Sequence, residues 1–272
     1  ISFGRIIRMS WIICGKAKNT MIHYHGVPFS GGLKTEVCMQ GKHAFVSYAH
    51  SQSIGLVAEL CQSFAIDNGA FSAWRSGNPF DLEGYAGFIN EWHRHPGFDW
   101  YVMPDVIDGD HSENKKMRDE WSSTVDLDVW FKGVPVWHLS EPLGVLESLV
   151  NEYPRIAFGS SGDYESVGND LWWDRMSQAM DVCCDDKGVP MVKLHGLRML
   201  DPTIFSHLPL SSADSTNAGR NCGLDGRWTG PYVSGLSVKA RAMVLMERIE
   251  SHASASTWNR TEHGHKNFEL LG

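Results

Sequence analysis

Three aspartates each follow a short run of residues that favour β-strands. Asp67 follows SFAI, Asp105 follows WYVMP and Asp214 follows LPLSSA. Two carboxylates across a pocket can work at a glycosidic carbon, one attacking the anomeric carbon and the other moving protons. A third carboxylate can accept hydrogen bonds from the ring N–H and amino groups of a purine. If the fold brings these side chains together, they predict chemistry at a glycosidic bond.

The elements that must position them repeat along the chain after Met21. Eight runs rich in β-branched and aromatic residues lie at 22–29, 43–49, 63–71, 100–109, 134–141, 155–164, 191–199 and 208–215. Apolar residues at helical spacing predict helices at 81–95, 112–122, 142–152, 170–182 and 237–251. Parallel strands need such crossovers, and the number eight favours a single-domain α/β fold, a (β/α)8 TIM barrel. An open doubly wound sheet is the alternative, although no G-x-G-x-x-G follows the first strand.

The chain divides into three predicted parts. Residues 1–20 carry four basic residues and no acid. They lack the cleavage site of a secretory signal, and we interpret them as an N-terminal extension, either accessory or non-native. Residues 21–251 form the predicted barrel. Residues 252–272, which include His252, His263 and His265, are interpreted as a solvated C-terminal tail.

Composition restricts the class of protein. The net charge of −8 argues against a general polyanion-binding protein but allows a local basic patch. No stretch approaches the roughly 18 consecutive apolar residues of a membrane span, so no membrane partner is expected. The six cysteines form no C-x-x-C pair, which predicts free thiols in a reduced, cytoplasmic protein.

Polar residues or glycines end all eight predicted strands. In chain order they are His25-Gly26, Ser47-Tyr48, Asp67-Asn68-Gly69, Asp105 with Asp108, His138 with Glu141, Gly159-Ser160-Ser161, His195-Gly196 and Asp214-Ser215. Each of them alone also fits a turn. Because the carboxyl ends of barrel strands meet at one face, where TIM barrels hold their active sites, the set predicts an active site there.

Several segments resemble the tRNA-guanine transglycosylase family. AIDNGAF (65–71) is similar to the D-S-G-G-F-Q segment of that family, and SADSTNAGRN (212–221) to its F-D-S/C-x-x-P-T-R-x-x-R-N segment. VMPDV (102–106), IAFGSSGDY (156–164) and KLHGL (193–197) resemble its base-binding, glycine-containing and histidine-glycine segments. The pattern over residues 21–222 is most similar to phage-type DNA 7-deazaguanine transglycosylases, which exchange guanine in DNA for a 7-deazaguanine.

The resemblance implies roles for individual residues. Asp214 would be the nucleophile at C1′, and Asp67 the general acid/base. The residues that bind the base would be Asp105, Asp108, His138, Gly159, Ser160, His195 and Gly196. The residues that contact nucleic acid would be Arg220, Asn217, Lys193 and Arg198.

The sequence departs from the family pattern at two places, and we base the expected cofactors and partners on these differences. The zinc motif C-x-C-x-x-C is absent, so we expect neither structural zinc nor another cofactor. S-T-N at 215–217 replaces P-T-R beside the nucleophile, which favours DNA over tRNA. The expected partners are guanine-containing DNA, a 7-deazaguanine such as preQ0 and, given the negative net charge, a helper protein that opens DNA.

Four other functions stay open. The same barrel could hydrolyse nucleosides or other N-glycosides with water as the acceptor. It could act on tRNA, or it could bind a nucleobase without catalysis. A metal-dependent hydrolase would require His23, His25, His138 and His195 to gather at the rim.

Overall fold

The structure, a computed structural model, describes residues 21–223 and 237–260. The predicted extension at 1–20, and residues 261–272 of the predicted tail with His263 and His265, lie outside the described residues. The strands are β1 (Ile22–Val27), β2 (His43–Ser47), β3 (Ser63–Asp67), β4 (Phe98–Val102), β5 (Gly133–Val134), β6 (Val136–His138), β7 (Arg155–Gly159), β8 (Lys193–Gly196) and β9 (Ser212–Ser215).

Helices connect the strands. They are α1 (Leu33–Glu36), α2 (Ile54–Leu60), α3 (Ala70–Ser76), α4 (Leu82–Trp92), α5 (His111–Thr124), α6 (Leu127–Trp130), α7 (Leu143–Glu152), α8 (Asp170–Cys183), α9 (Pro202–Phe205), α10 (Asn217–Asn221) and α11 (Val238–Glu250). Short 3₁₀ helices lie at Val37–Met39, Tyr48–Ser53 and Gly162–Tyr164.

All strand pairs are parallel, and the sheet order is β5-β4-β3-β2-β1-β9-β8-β7-β6. The two end strands, β5 and β6, are separated in the chain by Pro135 alone. Met103 N donates to Val134 O at 2.9 Å on one side, and Ala157 N donates to Pro135 O at 2.9 Å on the other. The segment from Gly133 to His138 therefore bonds to both neighbours and nearly closes the sheet into the predicted TIM-barrel-like fold.

The predicted elements are present with changed boundaries. The five predicted helices correspond to α4, α5, α7, α8 and α11. The predicted third strand extended to Phe71, but β3 ends at Asp67 because α3 begins at Ala70. The predicted fifth strand, 134–141, is two short pieces, since Pro135 has no N–H to continue the ladder.

The barrel interior is filled by side chains from alternate strand positions. Tyr24, Phe45, Trp100 and His195 form an aromatic layer in which the Trp100 and His195 ring centroids are 4.6 Å apart. The Tyr24 hydroxyl donates to Asp99 Oδ2 at 2.6 Å and accepts from Trp100 Nε1 at 3.1 Å. This layer supports the carboxyl ends of the strands from below.

Helices cover the outer face of the barrel through two apolar clusters. One centres on the stacked rings of Tyr85 and Trp121, and the other on Trp137, Trp172 and Met176. The helical segments are amphipathic, so packing an apolar stripe against the sheet forms both clusters. In the described part of the chain, no helix is long and apolar enough to cross a membrane.

Residues 252–260 pack against the barrel. Trp258 is only 4% exposed, its backbone N donates to Gly188 O at 2.7 Å, and its Nε1 donates to Asp181 Oδ1 at 3.0 Å. Ala255 N donates to Leu208 O at 3.1 Å. This first part of the predicted solvated tail is anchored to the barrel by the buried Ser254 and Trp258, while most of its other residues are exposed.

The substitution Gly188→Ala, which adds one methyl group, tests the contact between Gly188 and Trp258. Gly188 has φ +76°, and a Cβ there would lie 2.2 Å from Trp258 O. Gly41 has φ +71° with nothing within 4 Å of an added Cβ, so it is a matched control. We expect Gly41→Ala to lower the free energy of unfolding by about 1 kcal/mol, and Gly188→Ala by about 3 kcal/mol, in urea titrations. Equal losses would show that the Trp258 segment is not fixed at Gly188.

Candidate active site

A cavity of about 680 Å³ opens at the carboxyl ends of the strands. Its volume lies in the usual range for small-molecule sites. Eight of the predicted site residues line it: Asp67, Asp105, His138, Gly159, Ser160, Arg198, Asp214 and Arg220. They come from β3, the loop after β4, β6, β7 and the segments around β8 and β9, so the fold brings distant parts of the chain to one site.

Asp214 lies at the cavity floor near the end of β9 and is 5% exposed. Its Oδ1 accepts from the Arg198 backbone N–H at 3.0 Å and lies 3.3 Å from His195 Nε2. No other described residue bonds to Oδ2, which leaves that oxygen free for a ligand. The N-cap of the following helix is Thr216, so Asp214 is not a helix-capping residue.

His195 supports Asp214 from inside the barrel. Burial lowers the pKa of His195, against the opposing hydrogen bond and charge of Asp214, so its imidazole is neutral near pH 7. Ser212 Oγ lies 2.9 Å from Nδ1. In the tautomer that fits both contacts, Nδ1 accepts from the serine and Nε2 donates to Asp214. The carboxylate is therefore fixed in orientation by a neutral donor.

Arg198 adopts a left-handed backbone conformation, with φ +60°. This conformation is unfavourable for a residue with a Cβ, and such strain is concentrated at functional sites. Here it directs the backbone N–H toward Asp214, while the guanidinium donates to Ser160 O. The strained turn thus fixes both the carboxylate and the wall of the cavity beside it.

Asp67 is the second carboxylate of the cavity. Its Oδ2 accepts from Ser47 Oγ at 2.9 Å and from Gly69 N at 3.1 Å. Burial raises the pKa of Asp67 to about 6; the hydrogen bond from Ser47 opposes this rise, and the negative charges of Asp214 and Asp105 add to it. A carboxyl group with this pKa exchanges its proton readily near neutral pH.

Asp105 is paired with His138 across the cavity wall. Its Oδ2 lies 2.7 Å from His138 Nε2, and its Oδ1 accepts from Asn68 Nδ2 at 2.6 Å. Burial lowers the pKa of His138, but the hydrogen bond and charge of Asp105 outweigh it, so the pKa is raised above its usual value. Both carboxylate oxygens of Asp105 are therefore already bonded within the protein.

Arginines and an aromatic ring lie at the cavity mouth. Arg75, Arg198 and Arg220 are exposed there, with Glu165 as an acidic neighbour. Phe71 is 37% exposed, and the Arg198 guanidinium lies 5.1 Å from the centre of its ring. This is a local cationic patch on a chain of net charge −8. Such a mouth favours an anionic ligand with a flat group.

Five predicted site residues lie outside the cavity lining. His195 is fully buried beneath Asp214, and Gly196 faces the outer core, where a Cβ would meet Met199 and Leu210. Asp108 is exposed and accepts from Trp74 Nε1, Asn217 bonds to Asn221, and Lys193 begins β8. His195, Gly196 and Asp108 therefore do not line the cavity, and their role in binding the base stays a prediction. Lys193 lies at the amino end of its strand, opposite the cavity, so it cannot contact a ligand held there.

The four histidines needed by the metal-hydrolase alternative do not gather. His25 Nε2 bonds to Glu250 Oε1 at 2.9 Å on the outer face of β1, and His23 Nε2 bonds to the backbone of His252. Within residues 21–223 and 237–260 no group of three or more His, Cys, Asp or Glu is arranged to hold a metal ion. Cys38, Cys61, Cys183, Cys184 and Cys222 are free thiols.

Three residues that line the cavity, Asn68, Phe71 and Arg75, were not among the predicted site residues. Asn68 bonds to Asp105, and Phe71 and Arg75 lie one helical turn apart on the same face of α3. The spacing of the α3 pair is visible in the sequence, whereas the Asn68 contact depends on a residue 37 positions away.

Comparisons with known proteins add little to this geometry. No protein family and no curated protein matches the chain. A solved structure from Aquifex aeolicus VF5, described as a structural study of a project target, superposes with a TM-score of 0.48. It is 9% identical in sequence and covers 87% of this chain and 93% of its own. A likeness at this level carries no information about function.

The raised pKa of Asp67 predicts a pH-dependent effect on stability. The folded state holds the Asp67 proton up to about pH 6, above the ordinary value of 3.8, so stability falls as pH rises between about 4 and 6. Asp67→Asn removes this penalty and keeps an oxygen for Ser47 and Gly69. At pH 7.5 we expect the free energy of unfolding of the variant, measured in urea titrations, to exceed that of the native protein by about 1–2 kcal/mol. This gain should be lost at pH 4. Asp186→Asn, at an exposed position, is the control. If Asp67→Asn and the native protein were equally stable at pH 7.5, the ionised Asp67 carboxylate would not destabilise the folded state.

Proposed function

We propose that the protein is a base-exchange transglycosylase that replaces guanine in DNA with a 7-deazaguanine. The observation that carries the proposal is that Asp214, Asp67 and Asp105, from three separate parts of the barrel, line one cavity. One Asp214 oxygen has no hydrogen-bond partner among residues 21–223 and 237–260. The resemblance of the segments around Asp67 and Asp214 to guanine transglycosylases supports the same assignment. S-T-N after Asp214 favours DNA as the polymer.

In the first half-reaction, Asp214 Oδ2 attacks C1′ of a deoxyguanosine and guanine leaves. The N–H groups at Oδ1 hold the carboxylate in place, so its free oxygen approaches the sugar without reorganisation. The product is a deoxyribosyl ester of Asp214. Attack from the face opposite the base inverts the anomeric carbon.

In the second half-reaction, the incoming 7-deazaguanine attacks C1′ and displaces Asp214. Asp67 takes the N–H proton of the incoming base, which suits a carboxyl whose pKa is about 6. Two inversions retain the original configuration, as in retaining glycosidases with a base in place of water.

The cavity mouth fits a nucleotide pulled out of its stack. C1′ and the base edge must both reach the cavity floor, so the target nucleotide must leave the helix. Arg75, Arg198 and Arg220 at the mouth supply positive charge for the flanking phosphates. Phe71 offers a flat surface for a neighbouring base.

Loss of the nucleophile gives the direct test. The protein is incubated with guanine-containing DNA and preQ0, and the digested DNA is analysed by mass spectrometry for the deazaguanine nucleoside. Asp214→Asn removes the attacking carboxylate but keeps an oxygen for the N–H of Arg198, so we expect a loss of exchange of at least about 10⁴-fold without unfolding. A protein–DNA ester should be trapped with native protein only.

Asp186→Asn is the control for this experiment, because Asp186 is exposed in a turn outside the cavity lining. Full exchange by Asp214→Asn would contradict the assignment of the nucleophile. Release of guanine by native protein without uptake of preQ0 would identify a hydrolase. Exchange into tRNA alone would identify the polymer as RNA.

The arginines of the mouth predict a salt-dependent contribution to DNA binding. Arg75→Ala and Arg220→Ala should each weaken binding of single-stranded DNA several-fold and reduce the slope of log K against log salt by about 1. Arg94→Ala is the control, because Arg94 precedes β4 and lies at the opposite end of the barrel. Binding is measured by fluorescence anisotropy. If the slope of log K against log salt were unchanged in both variants, Arg75 and Arg220 would not contact DNA phosphates.

A further inference from the structure

Two aromatic side chains beside the cavity mouth are exposed to solvent. Phe71, which lines the cavity, is 37% exposed, and Trp74 is 47% exposed. They are three residues apart on α3, so they lie on the same face of the helix. Their ring centroids are 5.6 Å apart, and the ring planes are inclined by 39°. Two large apolar rings side by side at the mouth of a cavity mark an interaction surface.

Positive charge lies directly against this pair of rings. The guanidinium groups of Arg75 and Arg198 are 5.9 Å and 5.1 Å from the centre of the Phe71 ring. Both arginines line the cavity. The Phe71 ring therefore holds two cations at the mouth, and the more exposed Trp74 extends the flat surface outward from them.

The indole of Trp74 is fixed by its polar edge. Its Nε1 donates to Asp108 Oδ2 at 2.6 Å. Asp108 belongs to the loop between β4 and α5, and that loop is held in turn by Val106 N, which donates to the buried Asn114 Oδ1 at 2.8 Å. A ring that is already oriented loses little conformational freedom when a ligand binds. With the N–H occupied, the flat face of the indole is what remains for contact.

We infer that Trp74 and Phe71 form a stacking platform for an unpaired base of the DNA strand beside the nucleotide in the cavity. This inference rests on the proposed function and adds the state of the DNA, because a base stacked and paired in a duplex cannot offer its face to the platform. A protein partner would also cover exposed rings. The cations beside them favour a polyanionic strand instead, and these are Arg75, Arg198 and Arg220.

Abasic nucleotides provide the test, because they remove one base and keep the phosphates. Single-stranded oligonucleotides with one guanine carry an abasic nucleotide at each neighbouring position in turn, and their binding is measured by fluorescence anisotropy. We expect Trp74→Ala to weaken binding of the intact strand about 5–100-fold, and Trp74→Phe to restore most of the binding. An abasic nucleotide at one of these positions should weaken binding to the native protein by a similar factor, and to Trp74→Ala by less than about twofold.

Two controls separate stacking from a change in the fold. Stacking releases no counterions, so the slope of log K against log salt should keep its native value in Trp74→Ala. A disturbed α3 would move Arg75 and lower that slope. Phe131→Ala is the matched control, because Phe131 is 68% exposed and precedes β5 at the opposite end of the barrel.

Three results would overturn the inference. Equal effects of the abasic nucleotides on Trp74→Ala and native protein would show that Trp74 contacts no base. Native affinity in Trp74→Ala, or no binding of single-stranded DNA by native protein, would leave a protein as the occupant of the platform. If native protein shows the expected abasic pattern but exchanges no base, the proposed function fails and the inference stands. If exchange occurs and Trp74→Ala binds the strand as native protein does, the inference alone fails.

Discussion

The site depends on the closure of the sheet through the segment from Gly133 to His138. Pro135 interrupts this segment, so its first half bonds to β4 and its second half to β7. That arrangement brings His138, on the closing segment, against Asp105, which follows β4. If this segment bonded to β7 alone, β4 would be left as an edge strand, and Asp105 would not be held against His138. The aspartates of β3 and β9 would then face one side of an open cleft.

The three carboxylates of the cavity have different surroundings, which give them different chemistry. Asp214 has one oxygen held by N–H donors and the other without a partner among the described residues, which suits a nucleophile. Asp67 is held by a hydroxyl and one amide, and burial favours its protonated form. Asp105 has both oxygens occupied by side chains. Separate environments for similar groups allow one site to use its carboxyls for different steps.

The sequence was sufficient to predict the architecture and the position of the three aspartates, for a physical reason. The alternation of strand-like runs with helical segments, and the number of those runs, indicate a parallel barrel. The carboxyl ends of its strands must share one face. Side-chain direction within a strand is harder to predict, because a shift of one residue reverses the face. Gly196 illustrates this difficulty: it is at the expected end of β8 but faces the outer core. The partners of Asp105 and the left-handed turn at Arg198 arise from contacts between distant segments, which no local pattern encodes.

The segment from Asp67 to Arg75, which includes helix α3, joins the interior of the cavity to its mouth. Phe71 and Arg75 stand at the mouth, and Gly69, just before the helix, donates its N–H to Asp67. That N–H stabilises the ionised carboxylate, so its withdrawal would strengthen the hold of Asp67 on its proton. A displacement of α3 that withdrew the Gly69 N–H would therefore raise the pKa of Asp67 through a single turn of backbone.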